Sequence, residues 1–160
     1  MSTDIPQPGS VTVEELAAWM QALLPKLGSK ENDTSSGEKG QVTPYTKIII
    51  LDVRDPEEIL STGYIRSSKN VTHVSFEDDD DADEQVKSLL AMAEGTINPA
   101  FVFHCAYSQQ RGPFAASRFL SRCSVQDKQP TVLILQGGFD SWKRLSLENE
   151  LVSNFTMPPQ

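Results

Sequence analysis

Apolar residues near the start of the chain recur at the spacing of an amphipathic helix. Just before them, Thr12 and Glu15 stand in the order of a capping box, in which each side chain accepts from the other residue's backbone amide. The pattern predicts a helix that begins after Thr12 and ends near Pro25 and Gly28. Its apolar face comprises Val13, Leu16, Ala17, Met20, Leu23 and Leu24.

Further along, short apolar segments typical of strands alternate with segments of helical periodicity. Lys47 to Val53 is a continuous β-branched run, which favours a strand covered on both faces, as in a parallel sheet. Strands that alternate with helices indicate an α/β fold built from parallel βαβ units. The other predicted strands are 71–74, 101–104 and 131–135, and the later helices are 83–94, the segment from Gly112 to about Cys123, and 139–147.

Two polar stretches separate these elements. The stretch Gly28 to Thr46 is rich in Ser, Gly, Lys, Glu and Asp and has no periodicity, so it is predicted to be a mobile inserted loop. The acidic run Glu77 to Asp81 lies just before the helix predicted at 83–94, where negative charge faces the positive end of the helix dipole. We interpret this run as a solvated flank and not as a cation site.

Composition narrows the class of protein. With 160 residues the chain suits a single domain, residues 1–160, with its core at about 11–147. A net charge of −8 without a Lys/Arg cluster argues against nucleic acid as a partner. Two cysteines are too few for a disulfide framework, and no stretch approaches the ~18 apolar residues of a membrane span. We expect a monomeric cytoplasmic or nuclear protein, without a secretory signal or membrane attachment.

The strongest chemical signal is Cys105, which follows a buried strand and precedes a helix whose first turn contains Gly112 and Pro113. Pro113 suits the first helical turn because its missing N–H needs no partner there. The remaining free amides and the helix dipole favour an anion. Such a field stabilises a thiolate over a thiol, so Cys105 is predicted to be a nucleophile.

Arg111 is predicted to complete the site, since five intervening residues can curl around a tetrahedral anion and return the guanidinium to its oxygens. The hydroxyl of Ser108 is a candidate donor to the sulfur. The predicted oxyanion-binding loop consists of Ala106, Tyr107, Ser108, Gln109 and Gln110.

Three further residues are predicted to support this loop without reacting. His104 is expected to orient it by hydrogen bonding, while Asp52 and Arg54 are expected to form an ion pair or a loop contact where a parallel sheet binds ligands. Cys123 lies about 16 Å along the helix from the loop, too far to form a disulfide with Cys105, and is expected to be a buried apolar residue. With two histidines and separated cysteines, neither a metal site nor a cofactor is expected.

Four segments in order resemble the signature of the rhodanese fold. The loop of seven residues and its Arg-Gly-Pro ending are similar to the M-phase inducer phosphatases and to their small relatives that act as tyrosine phosphatases or arsenate reductases. The resemblance implies one rhodanese-like domain with a parallel sheet of about five strands and helices on both faces. The segments are Ile50 to Asp55, Gly63 to Ile65, His104 to Pro113 and Leu135 to Trp142.

The resemblance implies a Cys-(x)5-Arg phosphatase whose substrate is a phosphate, such as that of a phosphoprotein. Thiol-dependent reduction of arsenate at the same site is the alternative, and thiosulfate sulfurtransfer is the third. Inducer phosphatases carry acidic residues where this chain has Ala106 and Gln110, so no loop carboxylate is available as general acid and low activity is expected. Val53 replaces their second cysteine, so an arsenate reductase would need an external thiol such as glutathione or glutaredoxin.

Overall fold

The computed structural model describes residues 7–23, 44–125, 130–148 and 155–156. Their order alternates strands and helices, as the sequence predicts. The helices are α1 (Val13–Leu23), α2 (Pro56–Thr62), α3 (Asp79–Met92), α4 (Arg111–Val125) and α5 (Gly138–Glu148). The strands are β1 (Gly9–Val11), β2 (Lys47–Asp52), β3 (Tyr64–Ile65), β4 (Lys69–Asn70), β5 (Pro99–His104), β6 (Thr131–Leu135) and β7 (Phe155–Thr156), and a 3₁₀ helix spans His73–Phe76.

Five strands form one parallel sheet in the order β1-β6-β5-β2-β4. Alternate residues of the central strands face opposite sides, so Ile49 packs in one hydrophobic cluster and Ile50 in the other. The first cluster contains residues of α3 and α4, and the second contains residues of α1 and α5. The predicted α/β fold, with a five-stranded parallel sheet and helices on both faces, is confirmed.

The capping box at the first helix forms as predicted. Thr12 N donates to Glu15 Oε1 at 3.0 Å, and Glu15 N donates to Thr12 Oγ1 at 3.1 Å. The helix begins at Val13 and is described to Leu23. Its predicted end near Pro25 and Gly28 lies outside the described residues, as does most of the predicted insert at 28–46.

The strand predicted at 71–74 is wrong. Pairing with β2 is confined to Lys69–Asn70. Beyond these residues, Val71 N and His73 N still donate to the Asp52 and Val53 carbonyls, at 3.0 and 3.1 Å. The Asn70 side-chain amide donates to the carbonyls of Asp52 and Arg54, at 2.8 and 3.0 Å. The next residues coil into the 3₁₀ helix, which buries Phe76 and leaves Val74 exposed.

The acidic run also differs from its prediction. Asp78 caps α3 by accepting from Asp80 N and Asp81 N, so the helix begins at Asp79 and includes most of the run. The run is solvent-exposed, as expected, and Asp79 in addition binds Arg118 of α4 at 2.6 Å. The first turn of α3 is therefore tied to α4 by charge.

Besides the 3₁₀ helix, four elements have no counterpart in the sequence prediction: β1 at the edge of the sheet, α2, and the two antiparallel strands β3 and β7. Helix α2 follows β2 after three residues. Within the described part of the chain, no helix is long and apolar enough to cross a membrane.

Candidate active site

The pairing of β2 with β5 brings the predicted supporting residues together. Asp52 and His104 lie opposite each other as the last residues of these strands. Val53 N donates to the His104 carbonyl at 2.9 Å and extends the pairing by one residue. Cys105 follows directly, so it stands at the carboxyl edge of the sheet, where parallel sheets bind ligands.

Two backbone amides point at the sulfur of Cys105. The Ser108 amide donates to Sγ at 3.2 Å and the Gly112 amide at 3.3 Å. Ser108 reaches this position with a left-handed backbone, φ 58°. A Cβ on Gly112 would lie 3.3 Å from Cys105 N, so the close approach of α4 to the strand end favours glycine. These donors favour negative charge on the sulfur.

Arg111 is held by Glu58 of α2. Nη1 donates to Glu58 Oε2 at 2.5 Å and Nη2 to Oε1 at 3.1 Å, which is the planar two-bond geometry that guanidinium and carboxylate share. Glu58 Oε2 also accepts from Asp55 N at 3.3 Å. The bonds from Arg111 lower the pKa of Glu58, and the same bonds raise the pKa of Arg111. Both groups are therefore ionised at neutral pH.

Arg54 forms a buried hub next to this pair. Its Nε and Nη2 donate to the two carboxylate oxygens of Asp52 at 2.9 and 2.6 Å. Nη1 donates to Thr62 Oγ1 at 2.8 Å, and Nη2 also donates to the Gly63 carbonyl at 2.9 Å. The guanidinium carbon lies 4.3 Å from the centre of the Phe139 ring. The ion pair expected from the sequence is present, and it also fixes the end of α2.

Burial shapes the charge of the other residues at this strand end. Burial alone would raise the pKa of Asp52, but the hydrogen bonds from Arg54 and nearby positive charge lower it below 3.8. Complete burial lowers the pKa of His104 below 6.5, despite the attraction of Asp52. His104 Nδ1 lies 3.2 Å from the Cys105 carbonyl, which can only accept a hydrogen bond. The neutral imidazole therefore carries its proton on Nδ1.

The rear of the loop is bound by the start of α5. Phe139 N donates to the Cys105 carbonyl and Asp140 N to the Ala106 carbonyl, both at 2.9 Å. Gly138 has φ 63°, and a Cβ there would lie 2.6 Å from the Cys105 carbonyl oxygen. The helix can approach the loop this closely because residue 138 is glycine.

The structure places the remaining predicted residues in and around the loop. Tyr107, Gln109 and Gln110 are exposed, and Ala106 is half-buried. The Ser108 hydroxyl, predicted to donate to the sulfur, is buried without a hydrogen-bond partner among the described residues, and its backbone amide makes that bond instead. The catalytic roles of Cys105 and Arg111 stay predictions. Burial raises the pKa of Cys123 to about 12, in keeping with an inert core residue.

Sequence reasoning missed Glu58. Helix α2 has no buried residue, so no apolar periodicity marks it. The available signal was Asp55-Pro56-Glu57-Glu58, which combines an N-cap residue, proline at the first helical position and a glutamate three residues after the cap.

Replacement of Gly138 by alanine is expected to lower the free energy of unfolding by about 2 kcal/mol or more, from left-handed strain together with a backbone clash. Urea denaturation measures the loss. Gly95→Ala is the matched control, because Gly95 has φ 83° and open space around it, so only the strain applies. If the free energy of unfolding falls equally in Gly138→Ala and Gly95→Ala, the close approach of residue 138 to the Cys105 carbonyl does not contribute.

Stability is expected to fall as the pH is lowered from about 6.5 to 5. Burial lowers the pKa of His104 in the folded chain, so below pH 6.5 the unfolded chain binds a proton that the folded chain does not. This difference lowers the free energy of unfolding as the pH falls below 6.5 and has no effect above it. The slope is at most about 1.4 kcal/mol per pH unit for one group. Denaturation across this pH range should show a flatter profile for His104→Asn, with His73→Asn as the control. A profile unchanged in His104→Asn contradicts the prediction.

The chain is similar in sequence to proteins that are named as enzymes. The chain is 32% identical over 100 residues to Arsenate reductase 2.2 of Oryza sativa subsp. japonica, covering 61% of this chain and 70% of that protein. It is 34% identical over 100 residues to the Dual specificity phosphatase Cdc25 of Arabidopsis thaliana, covering 60% and 62%. Its relatives thus carry two kinds of enzyme name.

Solved structures share the fold at low identity. Ygr203w, titled a yeast protein tyrosine phosphatase of the Rhodanese family, superposes with a TM-score of 0.66 at 23% identity and 93% coverage of each chain. The As-Sb reductase of Leishmania major gives 0.63 at 21% identity, over 89% of this chain and 81% of that one. The sequence profile of the rhodanese-like domain matches residues 37–145, and the chain belongs to this family.

Proposed function

We propose that this chain is a cysteine-dependent phosphatase of the tyrosine or dual-specificity type. The observation that carries the proposal is the convergence of two amides, those of Ser108 and Gly112, on Cys105 Sγ, with Arg111 at the end of the same loop. Donors fixed before the substrate arrives stabilise charge as it develops on a transferred phosphoryl group. The phosphatases among its relatives support the same assignment.

In the proposed reaction the Cys105 thiolate attacks phosphorus in line with the ester oxygen. The S–P bond forms as the P–O bond breaks, and Arg111 and the loop amides bind the equatorial oxygens. Water then attacks phosphorus, which breaks the S–P bond, releases inorganic phosphate and returns the thiolate. Glu58 acts as a positioning residue, because it touches Arg111 through both carboxylate oxygens.

The leaving group lacks a proton donor in the loop itself, where Ala106 and Gln110 carry no acid. Glu58 does not fill this role, since its bonds with Arg111 lower its pKa and keep it ionised. Proton transfer contributes about 10² to 10⁴ in rate to such reactions. The proposed enzyme therefore favours aryl phosphates, whose phenolate leaves without help, over alkyl phosphates.

Arsenate reduction is the second candidate, because relatives carry that name and arsenate matches phosphate in shape and charge. Cys105 would attack arsenic and displace hydroxide, which leaves as water. An external thiolate such as that of glutathione would then attack the Cys105 sulfur, and the S–As bond would break with its electron pair left on arsenic, which departs as arsenite, arsenic(III). A second thiolate would attack the mixed disulfide, release the Cys105 thiolate and leave as oxidised glutathione. An external thiol is required because the other cysteine, Cys123, is buried with its pKa raised to about 12.

Three assays run in parallel test the proposal: hydrolysis of p-nitrophenyl phosphate, glutathione-coupled reduction of arsenate, and transfer of sulfur from thiosulfate to cyanide. Cys105→Ser is the blank in each. We expect p-nitrophenyl phosphate hydrolysis in the wild type and none in the variant. If wild type and variant behave alike in all three assays, the chain is not an enzyme of this type.

Glu58→Gln is expected to lower kcat/KM for p-nitrophenyl phosphate by about tenfold to a hundredfold, because Arg111 loses its fixed orientation. The free energy of unfolding should change by only about 0 to 1 kcal/mol, since the pair is partly exposed. Glu57→Gln, an exposed neighbour on the same helix, is the matched control. Full activity in Glu58→Gln would remove Glu58 from the mechanism.

A further inference from the structure

A groove of about 270 Å³ lies beside the loop that follows Cys105. Ala106 and Tyr107 line it on the loop side, and Asp140 and Lys143 line it on the side of α5. The two sides are bonded directly, because Asp140 N donates to the Ala106 carbonyl at 2.9 Å. Glu58, which binds Arg111, also lines the groove, so the groove adjoins the loop that runs from Cys105 to Arg111.

Three of the four charged groups that line the groove are neutralised by named partners. Arg54 is paired with Asp52. The carboxylate of Glu58 is bound by Arg111 through both oxygens. These pairs leave no net charge on this side of the groove.

The acidic group on α5 is neutralised as well. Asp140 Oδ2 accepts from Arg144 Nη2 at 2.5 Å, one helical turn further on. Lys143 stands three residues after Asp140 and is half-buried, and it has no hydrogen bond or ion pair among the residues that the structure describes. In a chain of net charge −8, a half-buried cation without a partner gives this groove a local positive charge.

The remaining walls suit a small organic group. Tyr107 is 60% exposed and half-buried Ala106 lies beside it, so the loop side of the groove offers an aromatic ring and a methyl group. A volume of about 270 Å³ lies just below the range for pockets that hold drug-sized ligands, which is about 300 to 1,000 Å³. The groove thus combines an apolar wall with one cation, which suits a short group that ends in a carboxylate.

We propose that this groove is a subsite for a carboxylate on the molecule that reacts with Cys105, and that Lys143 binds that carboxylate. The proposal rests on the proposed reactivity of Cys105. The carboxylate has two possible sources with the same chemistry: the leaving group of a phosphate ester, or a peptide thiol of the glutathione class. Lys143 sets the specificity and takes no part in bond breaking.

Two pairs of matched compounds distinguish these sources. The first pair is 4-carboxyphenyl phosphate and 4-carbamoylphenyl phosphate, which differ in charge and hardly in shape, and phosphate release gives kcat/KM for each. The second pair is oxidised glutathione and the disulfide of glutathione ethyl ester. Here the Cys105 thiolate attacks one sulfur and expels the other as a glutathione thiolate. Mass spectrometry follows the mixed disulfide, so this pair needs no phosphatase turnover, and Cys105→Ser is its blank.

In at least one pair, we expect the wild type to react about fivefold to tenfold faster with the compound that carries the free carboxylate than with its uncharged partner. Lys143→Met should abolish this preference, Lys143→Glu should reverse it, and added salt should weaken it in the wild type. Lys87→Met is the control, because Lys87 is an exposed lysine of α3 outside the groove lining and should leave the preference intact.

The outcomes separate the subsite from the proposed activity. If Lys143→Met loses the preference only with the aryl phosphates, the carboxylate belongs to the leaving group of the ester. If it loses the preference only with the disulfides, the carboxylate belongs to a thiol. If no variant hydrolyses either phosphate, the phosphatase proposal fails while the disulfides still test Lys143. If Lys143→Met matches the wild type with both pairs, the subsite does not exist.

Discussion

The buried ion pair of Asp52 and Arg54 is the interaction on which the rest of the site depends. Arg54 is 2% exposed, and its guanidinium donates hydrogen bonds to three groups: the Asp52 carboxylate, Thr62 Oγ1 and the Gly63 carbonyl. Loss of one partner from a buried pair costs about 3 to 5 kcal/mol, because the other charge stays uncompensated. Since Thr62 ends α2, this pair sets the position of the helix that carries Glu58.

From that hub a chain of contacts leads to the reactive sulfur. Glu58 binds Arg111, Arg111 begins α4, and the next residue of α4 donates its amide to Cys105 Sγ. The start of α5 binds the loop from behind. Three helices thus contact one short loop, and hydrogen bonds from them hold its backbone and its arginine. Donors fixed in this way need little reorganisation when charge develops.

The parts of the site that could be predicted from sequence are those whose signal is local. Cys105 and Arg111 stand in one continuous strand, loop and helix, so spacing alone relates them. Glu58 lies 53 positions before Arg111, on a seven-residue helix without an apolar face, and only the folded chain brings the two together. The strand predicted at 71–74 is wrong because the chain there coils into the 3₁₀ helix His73–Phe76, which buries Phe76 and leaves Val74 exposed. An apolar run this short does not distinguish a strand from a helical turn.

The short pair of β3 with β7 connects a distant part of the chain to this hub. Strand β3 begins at Tyr64, directly after the Gly63 carbonyl that accepts from Arg54, and its partner is Phe155–Thr156. A fusion partner or affinity tag joined shortly after residue 156 would therefore pull on a strand one residue away from the Arg54 contact. Recombinant forms meant for activity measurements are better extended before residue 7. The next element, β1, is the edge strand of the five-stranded sheet at the far end from β4.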